Sequence, residues 1–350
     1  MKLIKTEDAV GHVLCHDITQ IIKGVTKDAV FRKGHIVTEE DIPVLLSVGK
    51  ENLYVWEKEE GMLHENDAAE ILRQICQGEH MHPSDVKEGK IELIADIDGV
   101  LKIEREKLRK VNSLGEMMIA SRHSDFPVKK GDKLAGTRVI PLVISEEKMQ
   151  QAKDVTAGGA IFNILPYKKK KAGIVTTGSE VYYHRIKDTF TPVIEEKLAE
   201  YDIEIGGHEL CNDDPQMIEN AIRSLLADGC NMIVCTGGMS VDPDDRTPYA
   251  IRQVTGEIVS YGAPVLPGAM FLLAYYREEG KEAKEAIPVL GLPGCVMYSK
   301  RTIFDLVLPR LTVGEILTAE DLNTLGEGGL CLNCSECTFP NCGFGKGGTR

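Results

Sequence analysis

Three glycine-bearing loops, Thr176-Thr177-Gly178-Ser179-Glu180, Cys235-Thr236-Gly237-Gly238-Met239-Ser240 and Gly291-Leu292-Pro293-Gly294, each follow directly on a short apolar run. The runs, Ala172 to Val175, Asn231 to Val234 and Ile287 to Leu290, read as buried strands. In an open parallel sheet the carboxyl ends of the strands face one crevice. Glycine at those ends lets main-chain N–H groups approach a phosphate or another anion with no side chain in the way. Three such loops predict one anion-binding site.

Around these loops the pattern alternates strand and helix from Lys171 onward. Thr189 to Glu200 and Pro215 to Ala227 have helical spacing, the second opened by the cap and first-turn signal Asp213-Asp214-Pro215. Ile203 to Leu210 reads as a strand and Pro248 to Val254 as a short helix. Val296 to Leu308 carries apolar residues at helical spacing and is expected to end before Pro309. The repetition predicts a three-layer, doubly wound α/β domain with a mainly parallel sheet over residues 171–314. Residues 1–165 read as a mixed α+β region of one or two small lobes. Short strands are expected at Leu3 to Ile18, Gly34 to Ile36, Leu53 to Trp56, Lys90 to Ile97, Gly99 to Ile103, Met117 to Ala120 and Val139 to Val143, with helices at Thr38 to Val48 and Glu65 to Gln77. A Gly-rich stretch, Leu325 to Gly329, is expected to link a separate cysteine tail over residues 325–350.

The formal charge of −13 opposes non-specific binding to nucleic acid, so an anionic ligand must be held by local donors. No window is apolar enough for a membrane span, and the charged N-terminus has no signal-peptide core, so a cytoplasmic protein is expected. The basic run Lys168 to Lys171 reads as a solvated hinge.

Gly237-Gly238 is followed by Ser240 and by Asp242, Asp244 and Asp245, with Thr247-Pro248 opening a helix. Carboxylates at a strand end, beside N–H groups aimed at an anion, can hold Mg²⁺ against phosphate oxygens. The same Asp-Pro-Asp-Asp composition also makes an ordinary turn.

Gly173 to about Gly314 resembles the domain shared by molybdopterin molybdotransferases, molybdopterin adenylyltransferases and gephyrin. The resemblance rests on an ordered set: Thr177-Gly178-Ser179-Glu180, Ile186-Lys187-Asp188-Thr189, Asp213-Asp214, Thr236-Gly237-Gly238-Met239-Ser240 with Asp245 and Thr247-Pro248, Leu266-Pro267-Gly268 and Gly291-Leu292-Pro293-Gly294. Phe31 to Gly34, Asp41-Ile42, Leu45 to Gly49 and Tyr54-Val55 are similar to molybdotransferases in the first half. The resemblance implies a pocket for molybdopterin or its adenylate, formed by Thr177, Gly178, Ser179, Asp188, Thr236, Gly237, Gly238, Ser240, Pro267, Gly268, Pro293 and Gly294. It implies Asp245 and Glu180 as the catalytic carboxylates, Asp245 also organising Mg²⁺. The chain departs from the family where Gly-Asp-Glu reads Gly178-Ser179-Glu180, where Asp-Ser-Asn reads Asp188-Thr189-Phe190, and where Cys295 replaces an asparagine.

Four of ten cysteines, Cys331, Cys334, Cys337 and Cys342, fall in the last twenty residues. Thiolates at these intervals can wrap one metal centre, a [4Fe–4S] cluster or tetrahedral Zn²⁺. The fourth spacing is one residue longer than the common cluster run and lacks its following proline. Cys15, Cys76, Cys211 and Cys230 read as core residues, and Cys295 as a small residue packed at a helix start.

The expected function is binding of molybdopterin in molybdenum cofactor biosynthesis. As an enzyme the protein would be a molybdotransferase-like transferase, inserting molybdate with loss of a nucleotide or transferring a nucleotidyl group. The alternative is a non-catalytic carrier or sensor, since the asparagine-bearing pterin-side motif of molybdotransferases is not recognisable in the first half. A third reading is a pyrophosphatase-type nucleotide enzyme resembling competence-damage proteins. Expected partners are the pterin, molybdate, a molybdoenzyme or another cofactor-biosynthesis protein, and a second copy of the chain in a homodimer.

Overall fold

The computed structural model describes residues 2–22, 26–55, 60–240, 245–278, 280 and 285–347. The chain forms two compact units: residues 1–96, 103–122 and 131–163, and residues 97–102, 123–130 and 164–350. The second unit thus includes two short excursions from the first half of the sequence.

In the first unit, Lys2–Lys5 pairs antiparallel with Asn52–Val55, and Ile18–Ile22 pairs with Thr26–Phe31. Ala9, Leu14, Ile18, Val37, Leu45 and Leu53 make a small core there. The helix expected from Thr38 begins only at Asp41 and runs Asp41–Ser47. The Asp41 carboxylate takes hydrogen bonds from the Thr38 amide and hydroxyl, both 2.8 Å, which closes a turn in front of the helix. A four-stranded antiparallel sheet follows in the order Met81–Pro83, Lys90–Ala95, Lys133–Val139, Met117–Ser121. The expected helix at Glu65 is present as Glu65–Cys76, its N-terminal amide at Asn66 accepted by His64. Helices Arg105–Ser113 and Glu146–Val155 were not foreseen. Arg105–Ser113 buries only Val111, so it carries no apolar stripe to read.

The second unit holds the expected mainly parallel sheet. Its strands are β1 (Lys171–Thr177), β2 (Glu204–Cys211), β3 (Met232–Thr236), β4 (Ile258–Tyr261), β5 (Leu272–Tyr276) and β6 (Ile287–Leu292). They lie in the order β2-β1-β3-β6-β5-β4; the first four run parallel, and β5 and β4 are antiparallel additions absent from the sequence reading. β3 is buried at every position and β1 and β6 at all but the first, because helices cover both faces of the sheet. One face packs α1 (Thr191–Ala199) and α4 (Ile303–Thr312) through Ile194, Leu198, Phe304 and Leu308. The other packs α2 (Pro215–Ala227) and α3 (Thr247–Thr255) through Ile218, Ile222, Ile251 and Val254. α2 begins where the sequence places it, with the Asp214 side chain accepting from the Gln216 amide at 3.0 Å.

The helix expected over Val296 to Leu308 is instead a short 3₁₀ turn, Gly294–Met297, a loop, and then α4, which runs through Pro309. Thr302 and Asp305 form a reciprocal capping box that starts α4 late. Asp305 is only 3% exposed. Its carboxylate accepts from Lys197 Nζ at 2.7 and 2.9 Å, from Arg301 at 2.8 Å and from the Thr302 amide at 2.7 Å. Lys197 Nζ also reaches the Lys300 carbonyl at 3.1 Å, and Arg301 pairs with Glu200 at 2.9 Å.

The Leu325–Gly329 stretch does not decouple a separate tail. The Leu266 amide donates to the Gly329 carbonyl and the Cys331 amide to the Leu266 carbonyl, both 2.8 Å. Phe344 is 5% exposed and belongs to the core that contains Phe304 and Leu308, with Phe339, Cys331 and Cys342 packed against it. The aromatic residues Phe126, Phe339 and Phe344 supply the apolar area that holds the tail against this core.

Removing one partner of a buried ion pair strands the other charge, at a cost of about 3–5 kcal/mol. Asp305→Ala is expected to lower stability by that order, read as a reduced urea midpoint, and Lys197→Met by less because Asp305 keeps Arg301 and the Thr302 amide as partners.

Candidate functional site at the strand ends

The carboxyl ends of β1, β3 and β6 surround a cavity of about 340 Å³. Its floor is a layer of buried threonine hydroxyls. Thr177 Oγ1 donates to the Thr236 carbonyl at 3.2 Å and lies 3.0 Å from Thr247 Oγ1, which in turn donates to the Gly237 carbonyl at 2.9 Å. Thr176 Oγ1 lies 2.9 Å from Thr191 Oγ1 and 3.0 Å from His208 Nε2. Thr177 and Thr247 each spend their single hydroxyl proton on a main-chain carbonyl, so this part of the floor is met by neutral partners.

The Gly237-Gly238 loop is where glycine is required. Their φ values are +83° and +54°. A Cβ at Gly237 would lie 2.1 Å from the Thr177 carbonyl oxygen, and one at Gly238 would lie 2.8 Å from Thr247 Oγ1. The β1 and β3 loops therefore meet backbone to backbone, which no other residue type permits.

Of the residues implicated by the sequence, Thr177, Glu180, Asp188, Thr236, Gly237, Gly238, Ser240, Asp245, Pro293 and Gly294 line this cavity. The Asp245 carboxylate accepts from the Ser240 amide at 2.9 Å and its hydroxyl at 2.5 Å. Tyr261 donates to the Met239 carbonyl at 3.1 Å; burial and the neighbouring Asp245 charge push its phenol up. Asp188 receives the Phe190 and Thr191 amides at 2.9 and 3.1 Å in front of α1. Burial raises its carboxyl, but these hydrogen bonds and His208 outweigh burial and hold it below the usual range.

Gly178, Ser179, Pro267 and Gly268 are not among the cavity's lining residues. The Ser179 amide donates to Asp213 at 3.0 Å, and a Cβ on Gly178 would lie 2.8 Å from a Glu180 carboxylate oxygen, so both shape the turn that carries Glu180. Gly268 sits against α4, where a Cβ would lie 2.4 Å from the Ile303 side chain. Asp242 and Asp244 lie outside the described residues. Cys295 is half-buried and its thiol is pushed up by burial.

Sequence reasoning missed the apolar wall of Met239, Met270 and Met297, and the exposed cation Lys187 was quoted only as part of a motif. Met297 joins the wall to the β1 side through a contact of Thr189 Oγ1 with its Sδ at 3.1 Å. A methionine in a loop has no signature that separates ligand wall from core.

Among the described residues no three His, Cys, Asp or Glu side chains are grouped so as to hold a metal ion. A Mg²⁺ ion bound against phosphate commonly uses only one or two carboxylates. The donor set of Glu180, Asp188 and Asp245 on one cavity is compatible with that mode and with no all-protein cage.

A mainly parallel, doubly wound sheet with glycine loops around a strand-end cavity defines the class of the second unit, a three-layer α/β domain. Residues 173–313 are a molybdopterin-binding-type domain: they match the family described as "Probable molybdopterin binding domain". Residues 3–57, the stretch similar to molybdotransferases by sequence, match a "Domain of unknown function (DUF8806)". Among curated proteins, a CinA-like protein of Mycolicibacterium vanbaalenii is 32% identical over 158 residues, covering 40% of this chain and 37% of that protein. A CinA-like protein of a Mycobacterium species is 37% identical over 86 residues, covering 25% and 20%. The chain therefore spans well under half the length of these relatives. The molybdopterin biosynthesis enzyme MoaB from Thermus thermophilus is similar in structure at 24% identity, over 42% of this chain and 98% of that one, with a TM-score of 0.34. A molybdenum cofactor biosynthesis protein from Pyrococcus furiosus aligns over 89% of this chain and 63% of that one at 12% identity and a TM-score of 0.27. No helix among the described residues is long and apolar enough to cross a membrane.

Gly237→Ala is expected to lose stability by more than the roughly 1 kcal/mol of an unsuitable left-handed residue, because the new methyl also strikes a carbonyl. Thermal unfolding and ligand titration together check it, and both should fall. The depressed Asp188 carboxyl adds stability that is complete above its unfolded value of about 3.9 and lost as pH falls through its lower folded value. Stability curves of wild type and Asp188→Asn should differ at pH 7 and converge in that acidic window.

Proposed function

We propose that the strand-end cavity binds molybdopterin or its adenylate, with the terminal phosphate on the Gly237-Gly238 loop. The observation that carries this reading is the backbone-to-backbone meeting of that loop with Thr177, on a cavity that also gathers Ser240, Lys187 and the carboxylate residues Glu180 and Asp245. Amides and Ser240 would donate to the phosphate, and Lys187 would offset its charge in a protein whose net charge is −13. The apolar methionine wall would cover the pterin rings. Mg²⁺, held by Asp245 with Glu180, would supply Lewis-acid stabilisation of charge on the phosphate oxygens.

The activity proposed is transfer at the pterin, either molybdate insertion with loss of a nucleotide or nucleotidyl transfer, within molybdenum cofactor biosynthesis. Such a reaction rests on positioning and charge stabilisation, for which fixed amides and carboxylates suffice without a protein nucleophile. The replacement of three family hydrogen-bonding positions by Ser179, Phe190 and Cys295 favours a second reading, a carrier that binds the cofactor without turning it over. As further parts of the proposal, the four tail thiols hold metal and the chain associates as a homodimer.

Asp245→Asn is expected to weaken molybdopterin binding at least tenfold in Mg²⁺ with unfolding unchanged, measured by fluorescence quenching. Unchanged affinity would remove Asp245 from the site. Glu180→Gln is expected to cut turnover of adenylated molybdopterin with molybdate far more than affinity, because charge placed for the transition state acts on rate. Stoichiometric binding by wild type with no nucleotide released over many equivalents would leave the carrier.

A further inference from the structure

Cys331, Cys334, Cys337 and Cys342 line a single cavity of about 250 Å³ at the end of the chain. Nothing in the spacing alone requires this. In the common bacterial cluster run, the fourth cysteine after a three-residue gap serves a different cluster. Here the gap is four residues, and a turn closed by the Asn341 amide on the Thr338 carbonyl at 2.6 Å brings Cys342 back to the first three.

Structural zinc sites usually take their ligands as two separated close pairs. Three cysteines at successive two-residue gaps with a fourth beyond them are instead the run that holds an iron–sulfur cluster. All four of these cysteines line the one cavity, each able to reach a separate iron of a cubane.

The walls suit the same occupant. Phe339 and Phe344 make them apolar, and no carboxylate or imidazole is among the lining residues. The charges present are Lys300 and Arg301, which match the net negative charge of a cluster held by four thiolates. Lys300 Nζ donates to the Ser335 carbonyl at 2.8 Å, pinning the loop between Cys334 and Cys337, and the Arg301 guanidinium lies 5.1 Å from the Phe339 ring centre. The rings of Phe126 and Phe339 are 6.0 Å apart and those of Phe339 and Phe344 6.3 Å, so the site is supported by packing.

We propose that these four cysteines ligate one [4Fe–4S] cluster, each thiolate losing its proton to bind one iron. The inference rests on the reading that the tail thiols hold metal and commits it to iron and sulfide. The test uses the full chain purified without oxygen, with iron, acid-labile sulfide and zinc measured on the same sample. The expected result is about four irons and four sulfides per chain with a broad visible absorbance. A Cys334→Ser, Cys337→Ser double variant should lose both, whereas Cys295→Ser, outside the cavity, should keep both. Apo-protein treated anaerobically with ferric iron, sulfide and a thiol reductant should recover the absorbance, a check independent of how the variants fold. One zinc per chain without iron, and no absorbance gained on reconstitution, would overturn the cluster and leave a thiol metal site standing. Neither metal, no reconstitution and four thiols reacting freely would overturn both.

Discussion

A carboxylate at 3% exposure is untenable in a protein interior unless its charge is met, and Asp305 is met four ways, by Lys197 twice, Arg301 and the Thr302 amide. Because those partners come from α1, from the loop after β6 and from the first turn of α4, one buried charge sets the relative positions of all three. The segment between β6 and α4 is the consequence of interest. Gly294 and Met297 line the strand-end cavity, and Lys300 and Arg301, a few residues on, line the thiol cavity. Two candidate ligand sites share one stretch of chain whose far end is clamped by Asp305.

The strand-end site depends on a different constraint, the absence of atoms. The approach of Gly237 to the Thr177 carbonyl leaves no room for a Cβ, so two loops at the strand ends meet with bare backbone between them. Neutral donors are the means by which a strongly acidic chain can receive an anion, since its overall field repels one. The hydroxyls of Thr177 and Thr247 meet their part of the buried floor with neutral partners, adding no charge.

Much of the α/β half was legible before any coordinates, because buried parallel strands announce themselves as apolar runs and glycine marks the places where backbones must touch. β1, β3 and β6 lie where those runs are, and α2 begins at Asp214 as the cap signal indicates. The misreadings have physical causes. The apolar spacing over Val296 to Leu308 spans a 3₁₀ turn and a helix because the capping box at Thr302 and Asp305 starts α4 afresh, and Pro309 is accommodated within it. Arg105–Ser113 and Glu146–Val155 carry few apolar residues to read, burying only Val111 in the first and Met149 and Ala152 in the second.

Sequence by itself determined the class of the second unit and marked the loops that line its strand-end cavity, for those follow from local rules: apolar runs bury, and glycine goes where a side chain cannot. It also placed four thiols at ligand spacing. Only the tertiary structure decided which loop residues turn toward the cavity, that Gly178 and Gly268 serve the frame, and that Met270 and Met297 form a wall. Only it brought Phe126, nearly two hundred residues upstream, under the tail and gathered the four cysteines around one space. Those outcomes rest on contacts between segments distant along the chain, whose strength depends on shape and charge partners that no local pattern encodes.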